Sequence, residues 1–202
     1  MTTVLFAIAA LMAALLICLL LLTLLYRPLQ IWPTPGEGGW QSYVWWPLFR
    51  GLNVACFAMA LVDRSVLHGL PMWVRAIAFG FLAVSLAVFL YSFFFLGRDN
   101  SYGAREGLVT RGVYRWSRNP QNAMLMAVYA SLAVAADSAR TTSLCAAMIA
   151  VYFLMVLAEE PWLEAAYGDQ YRRYCRRVPR LCNFRRVAVL VRMMERRCRR
   201  GR

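Results

Sequence analysis

"TRGVYRWSRNPQNAMLMAVY", residues 110–129, carries three arginines and an Asn-Pro pair straight into an apolar run. Asn119-Pro120 reads as a helix start: asparagine suits the cap, and proline tolerates the first helical position because its missing N–H is not needed there. The helix that follows is expected over 120–136, and the short connector "DSAR" at 137–140 leads into a second apolar run, 141–158. So short a connector makes the two runs an antiparallel hairpin. The loop before Pro120 and the segment after Ala158 must then meet at one end of the molecule.

Outward from this hairpin the chain is built for lipid. It has 202 residues, 61% of them hydrophobic, against about half in soluble domains, and its mean hydropathy is +0.49. Apolar stretches lie at roughly 4–26, 45–62, 72–96, 120–136 and 141–158. A membrane-spanning helix takes about 17–25 residues. The expected fold is therefore all-α: a polytopic transmembrane bundle of about five spans with cytoplasmic C-terminal interfacial helices. The first stretch follows "MTT", which has no basic side chain, and it is longer than a signal-peptide core. It reads as a retained span.

All 23 basic residues are arginine, and the net charge is +13. The excess sits in the loop 97–119 and in the segment from residue 159 onward, whereas the connectors 63–71 and 137–140 each balance to zero. With five spans both basic regions fall on one side, which the positive-inside rule makes cytoplasmic. The N-terminus is then outside, as in a multi-pass protein of a bacterial-type inner membrane. Charge placed beside apolar helices argues for anionic lipids as its partner, not nucleic acid. The six cysteines, at 18, 56, 145, 175, 182 and 198, form no paired knuckle, and His68 is the only histidine. No metal site or disulfide framework is indicated.

Two units are expected: a membrane domain over 1–181 and a basic amphipathic tail over 182–202. The tail reads as a surface helix held by anionic lipid. The Trp- and Pro-rich segment after the first span reads as interfacial anchoring, with a substrate-access lip as the alternative. Arg75 is placed to snorkel; Arg50 is expected near the inner end of its helix, as either a snorkelling or a functional residue. Glycine at Glu106-Gly107 and at Arg111-Gly112 predicts turns. Glu159 and Glu160 close an apolar helix at the end where its dipole disfavours acids. They need a positive partner: the facing arginines can supply one as a clasp, and a cationic ligand can supply one as well. Pro161 is expected to turn or restart the chain. Tyr167, Tyr171 and Tyr174 form one helical stripe, at a membrane interface or in a pocket wall.

The pair of segments "LVTRGVYRWSRNPQN" and "EEPWLEAAYGDQYRRYCRRVPR" resembles the signature of the membrane-embedded isoprenylcysteine carboxyl methyltransferase and phospholipid methyltransferase group. The resemblance spans about residues 96–181. It implies a cytoplasm-facing pocket for S-adenosylmethionine built by Gly112, Tyr114, Arg118, Asn119 and Pro120. Glu159 or Glu160 and Tyr171 would form the other wall. Of the two acids Glu160 is the expected ligand, being nearer the expected chain reversal. Arg115 or Arg118 would hold an anionic acceptor, with Arg180 a further candidate, so that Arg115, Arg118 and Glu160 form the catalytic set. The resemblance also implies an amphiphilic or lipid-like methyl acceptor. Asn119 stands where many members have histidine and Asn122 where an aromatic is usual; both bear on the acceptor. Two other readings stay open: an NADPH-dependent membrane reductase, and a non-catalytic scaffold or assembly factor. The sequence does not set an oligomeric state.

Overall fold

A computed structural model describes residues 1–26, 28–34, 39–63, 65–96 and 107–181. The expected tail at 182–202 lies outside the described residues, as does the first part, 97–106, of the basic loop 97–119. The described residues form five α-helices: α1 (Thr2–Leu25), α2 (Trp40–Val62), α3 (Met72–Leu96), α4 (Pro120–Ala136) and α5 (Ala139–Arg177). A single 3₁₀ turn, Gly112–Arg115, precedes α4. The described residues contain no strand, so the all-helical class expected from the sequence is the one observed.

α1, α2, α3 and α5 are long and apolar enough to cross a membrane. α4 has 17 residues, about 25 Å at ~1.5 Å per residue, the lower end of the spanning range. It pairs along α3 on one side and α5 on the other. The chain is a multi-pass membrane protein.

Burial follows the logic of lipid rather than water. α1 hides only one stripe, Ala9, Ala13, Leu16 and Leu20, while Leu11, Leu15 and Leu22 remain 61%, 44% and 45% exposed. Lipid tails are as apolar as leucine, so the exposed face costs nothing and close packing decides which face turns inward. Ala78, Ser85 and Ser92 are buried on α3 at intervals of seven residues. Small side chains at that spacing let α3 approach α4 along its length. α1 packs on α2 and α5, and α2 also touches α4.

At one end of the bundle the connectors are cross-bonded. Asp137 closes α4 in the left-handed conformation, φ 50°, and its carboxylate accepts from the backbone N–H of His68 at 3.0 Å and of Leu70 at 2.7 Å. Asp63 accepts from the hydroxyls of Ser65 and Ser138 and lies 3.6 Å from Arg140. The Ser138 hydroxyl accepts from the Thr141 N–H, so it caps α5. Arg75 donates to the Ala135 carbonyl at 2.8 Å. It binds the C-terminal end of α4, the favoured place for a cation, where snorkelling was expected. His68 takes part through its backbone, as an ordinary loop residue.

The other end differs from expectation in one respect. α5 does not turn at Pro161; it runs on to Gly168, where the backbone leaves the helical region at φ 51° and ψ −127°. Proline forfeits one hydrogen bond to the preceding turn, which a well-packed helix can absorb. A positive φ ends the regular path outright, and only glycine adopts it without strain.

Candidate functional site

Trp32 and Pro33 after α1, the first half of α2, the C-terminal end of α3, the N-terminal end of α4 and the second half of α5 surround a cavity of about 640 Å³. Its floor lies among the helices and its rim is made by the two segments that the hairpin brings together. The 3₁₀ turn and the residues after it are stitched to the end of α5 and the segment that follows it. The Tyr174 hydroxyl donates to the Tyr114 carbonyl at 2.6 Å, and the Arg118 N–H donates to the Pro179 carbonyl at 3.0 Å. Gly112 makes the turn possible twice over. Its φ is +58°, and a Cβ there would lie 2.5 Å from the Phe95 ring.

Arg118 is the hub of the rim. Its guanidinium pairs with Glu160 at 3.1 Å, donates to the Tyr171 hydroxyl at 3.2 Å, reaches the Cys175 sulfur and lies over the Tyr171 ring at 5.9 Å. Arg180 grips both oxygens of the same Glu160, at 2.7 and 2.6 Å. Of the acidic pair, Glu160 thus finds the positive partners that its position demanded, and it in turn holds the Arg180 guanidinium firmly charged. The bridge is mostly shielded, with the side chains of Arg118 and Glu160 only 11% and 19% exposed.

Glu159 and Glu160 have separate roles. Consecutive residues on a helix point about 100° apart, and because α5 continues through Pro161 both keep helical directions. Glu159 lines the cavity and accepts from the Trp32 indole N–H at 2.8 Å. Glu160, the expected ligand, lies behind it between two guanidinia. Asn119 occupies the cap position of α4, but its side chain caps no amide there. It donates instead to the Arg180 carbonyl at 3.0 Å, while the Ser117 hydroxyl accepts from the Asn119 N–H.

Of the residues expected at the site, Tyr114, Arg118, Asn119, Glu159 and Tyr171 line the cavity. Gly112, Pro120 and Glu160 stand behind the wall and shape it. Arg115 is exposed and not part of the lining. The tyrosine stripe is pocket wall: Tyr167, Tyr171 and Tyr174 all line the cavity, and Tyr171 and Tyr174 are buried. Burial pushes the Tyr114 phenol upward, so it stays a neutral hydrogen-bonding group, accepting from Gln121 at 3.2 Å.

The connector after α1 and the helix α2 contribute far more than their sequence suggested. Trp32 is buried, stacked on Trp45 at 5.1 Å, and so belongs to the pocket and not to a lipid anchor. Trp46, Phe49, Arg50 and Asn53 of α2 form one wall, with Phe89 and Phe93 of α3 on another. Asn53 is fixed by the hydroxyls of Tyr129 and Tyr152, which both donate to its Oδ1. The one local signal for this wall was the spacing of Trp46, Arg50 and Asn53, which puts all three on one helical face.

A family model for phospholipid methyltransferases matches residues 66–170, just over half of the chain. The chain belongs to the phospholipid methyltransferase family. The matched region runs from the connector before α3 through the hairpin to just past Gly168, and so takes in Arg118, Asn119, Glu159 and Glu160 but stops before Tyr171. No curated protein and no solved structure matched the chain. The family makes the chain a membrane methyltransferase; Trp32 and the α2 wall lie outside the matched residues.

Proposed function

We propose that the protein transfers a methyl group from S-adenosylmethionine to an amphiphilic, lipid-like acceptor at the cytoplasmic face of a bacterial-type inner membrane, with its N-terminus outside. The observation that carries this reading is one cavity with two chemistries, a polar rim at Arg118, Asn119, Glu159 and Tyr171 and an aromatic wall facing the bundle. Its volume lies within the range of small-molecule sites. The basic segments flank the rim, and positive flanks favour the cytoplasm.

The donor set fits the cofactor. S-adenosylmethionine carries a carboxylate, an ammonium and a sulfonium. The buried Nε of Arg118 has no hydrogen-bond partner among the described residues, a donor suited to a carboxylate. Glu159 suits a positive group, and the faces of Tyr171 and Tyr167 suit a sulfonium or an adenine. When bound, the cofactor supplies an electrophilic methyl group. The chain's own residues bind and orient: Glu160 and Tyr171 fix Arg118, Trp32 fixes Glu159, and the aromatic wall excludes water. Positioning and dehydration are what a methyl transfer chiefly asks of a protein.

Calorimetric titration of the purified protein with S-adenosylhomocysteine and, separately, NADPH tests this reading. Saturable binding of the former, weakened in Glu160→Gln at retained thermal stability, is expected. NADPH binding alone would make the protein a reductase, and folded protein that takes neither would leave a scaffold.

A further inference from the structure

Arg50 is unlike the other arginines among the described residues. It lies ten residues into α2, counting from Trp40 to position 50, roughly 15 Å along the axis at ~1.5 Å per residue, and so is deeper than its expected place at the helix end. The helix face it shares with Trp46, Phe49, Asn53 and Val54 lines the cavity. Its guanidinium carbon is 5.1 Å from the centroid of the Trp46 ring, and the side chain is exposed. Among the described residues no carboxylate forms an ion pair with it. Arg118, the other cation of the lining, has Glu160; the acid of the lining, Glu159, bonds Trp32 across the cavity rim.

A guanidinium in an apolar span is costly and is retained where it faces a polar path or partner. Stacking on an indole steadies the planar group without using its N–H donors. The donors are thereby presented to the cavity beside an apolar wall, since Val54, next to Asn53, lines the cavity and is also 69% exposed. A fork of donors set against apolar surface matches an oxyanion on an alkyl chain.

We propose that Arg50 is the subsite for an oxyanion, carboxylate or phosphate, of the amphiphilic acceptor, and that it positions this molecule with its chain along α2 and α3. The proposal rests on the methyltransferase reading for its role but not for its test. Dibromostearate, its neutral methyl ester and a phosphate monoester of the same dibrominated chain would be titrated into the protein in a neutral detergent. Binding would be followed as saturable quenching of tryptophan fluorescence, in wild type, Arg50→Gln and Arg50→Lys. The wild type should bind at least one anionic probe about tenfold or more tightly than the ester, as charge-assisted bonds allow. Arg50→Gln should abolish that preference while leaving ester binding intact, and Arg50→Lys should keep part of it. The stronger anionic probe tells carboxylate from phosphate. Equal affinity of the wild type for all three probes, or an unchanged preference in Arg50→Gln, would overturn the proposal. S-adenosylhomocysteine titrated into the same samples separates the two readings. Its failure to bind beside an Arg50-dependent preference would leave the subsite standing and remove the methyltransferase.

Discussion

The two ends of the bundle use similar residues to opposite effect. At the connector end Asp63 and Asp137 receive hydroxyl and amide donors, and the loops between helices are short. There, among the described residues, only a neutral group, the buried Thr141 hydroxyl, is left without a partner. At the cavity end it is a donor of a charged group, the buried Nε of Arg118, and the polar rim surrounds space. The lesson is that polar residues in a membrane protein do not mark function by their number. What separates a structural clasp from a binding site is whether the donors and acceptors close on one another.

The comparison can be broken from either side. The largest effect is expected from Arg118→Ala, which removes the shared partner of Glu160 and Tyr171. Affinity for S-adenosylhomocysteine should fall by about a hundredfold, the scale of losing bonds to a charged group, in calorimetry on protein verified as folded. At the other end Asp63→Ala should destabilise the fold by about 1–3 kcal/mol by stripping the Ser65 and Ser138 hydroxyls of their acceptor. Cofactor affinity of the remaining folded protein should not change. Denaturation and calorimetry on one preparation check both halves.

Glycine substitutions sharpen the contrast at smaller magnitude. Gly112 and Gly69 both have positive φ, 58° and 66°, but only Gly112 abuts a side chain, the Phe95 ring. Gly69→Ala should cost about 1 kcal/mol from backbone strain alone. Gly112→Ala should cost more and also weaken cofactor binding, because its turn carries Tyr114 and leads to Arg118. Thermal unfolding with and without ligand distinguishes them.

The smallest effect concerns acid. Serine hydroxyls hold the Asp63 carboxyl below its usual range, as the backbone N–H groups of Leu70 and His68 do for Asp137. A depressed folded-state pKa contributes stability that is complete above the unfolded value, about 3.9 for aspartate, and is lost as pH falls through the folded value. The melting temperature should therefore lose this contribution only below about pH 4. Asp63→Asn and Asp137→Asn should each flatten that acid limb.

The hairpin was legible because its signals are local: an Asn-Pro start, a four-residue connector and apolar runs of spanning length. The meeting of the arginine loop with the glutamates followed from that topology. The division of labour between Glu159 and Glu160 was not legible, because it depends on whether α5 continues through Pro161, and packing decides that. Nor was the part of Trp32, whose partner Glu159 is 127 positions away; interfacial tryptophan and pocket tryptophan look alike along a chain. Arg115 and Arg118 are three positions apart and carry the same charge, yet only the second reaches Glu160 and the α5 tyrosines. Nothing in residue type distinguishes them.

The most direct test of a donor site at the cavity end is a calorimetric titration of S-adenosylhomocysteine into wild type, Glu159→Gln and Asp63→Asn. Glutamine can still accept from the Trp32 indole, so Glu159→Gln deletes the charge while keeping the bond. One-to-one binding is expected, weakened about tenfold or more by Glu159→Gln and unchanged by Asp63→Asn. Folded wild type that fails to bind, or equal losses in both variants, would contradict a cofactor held by the cavity rim.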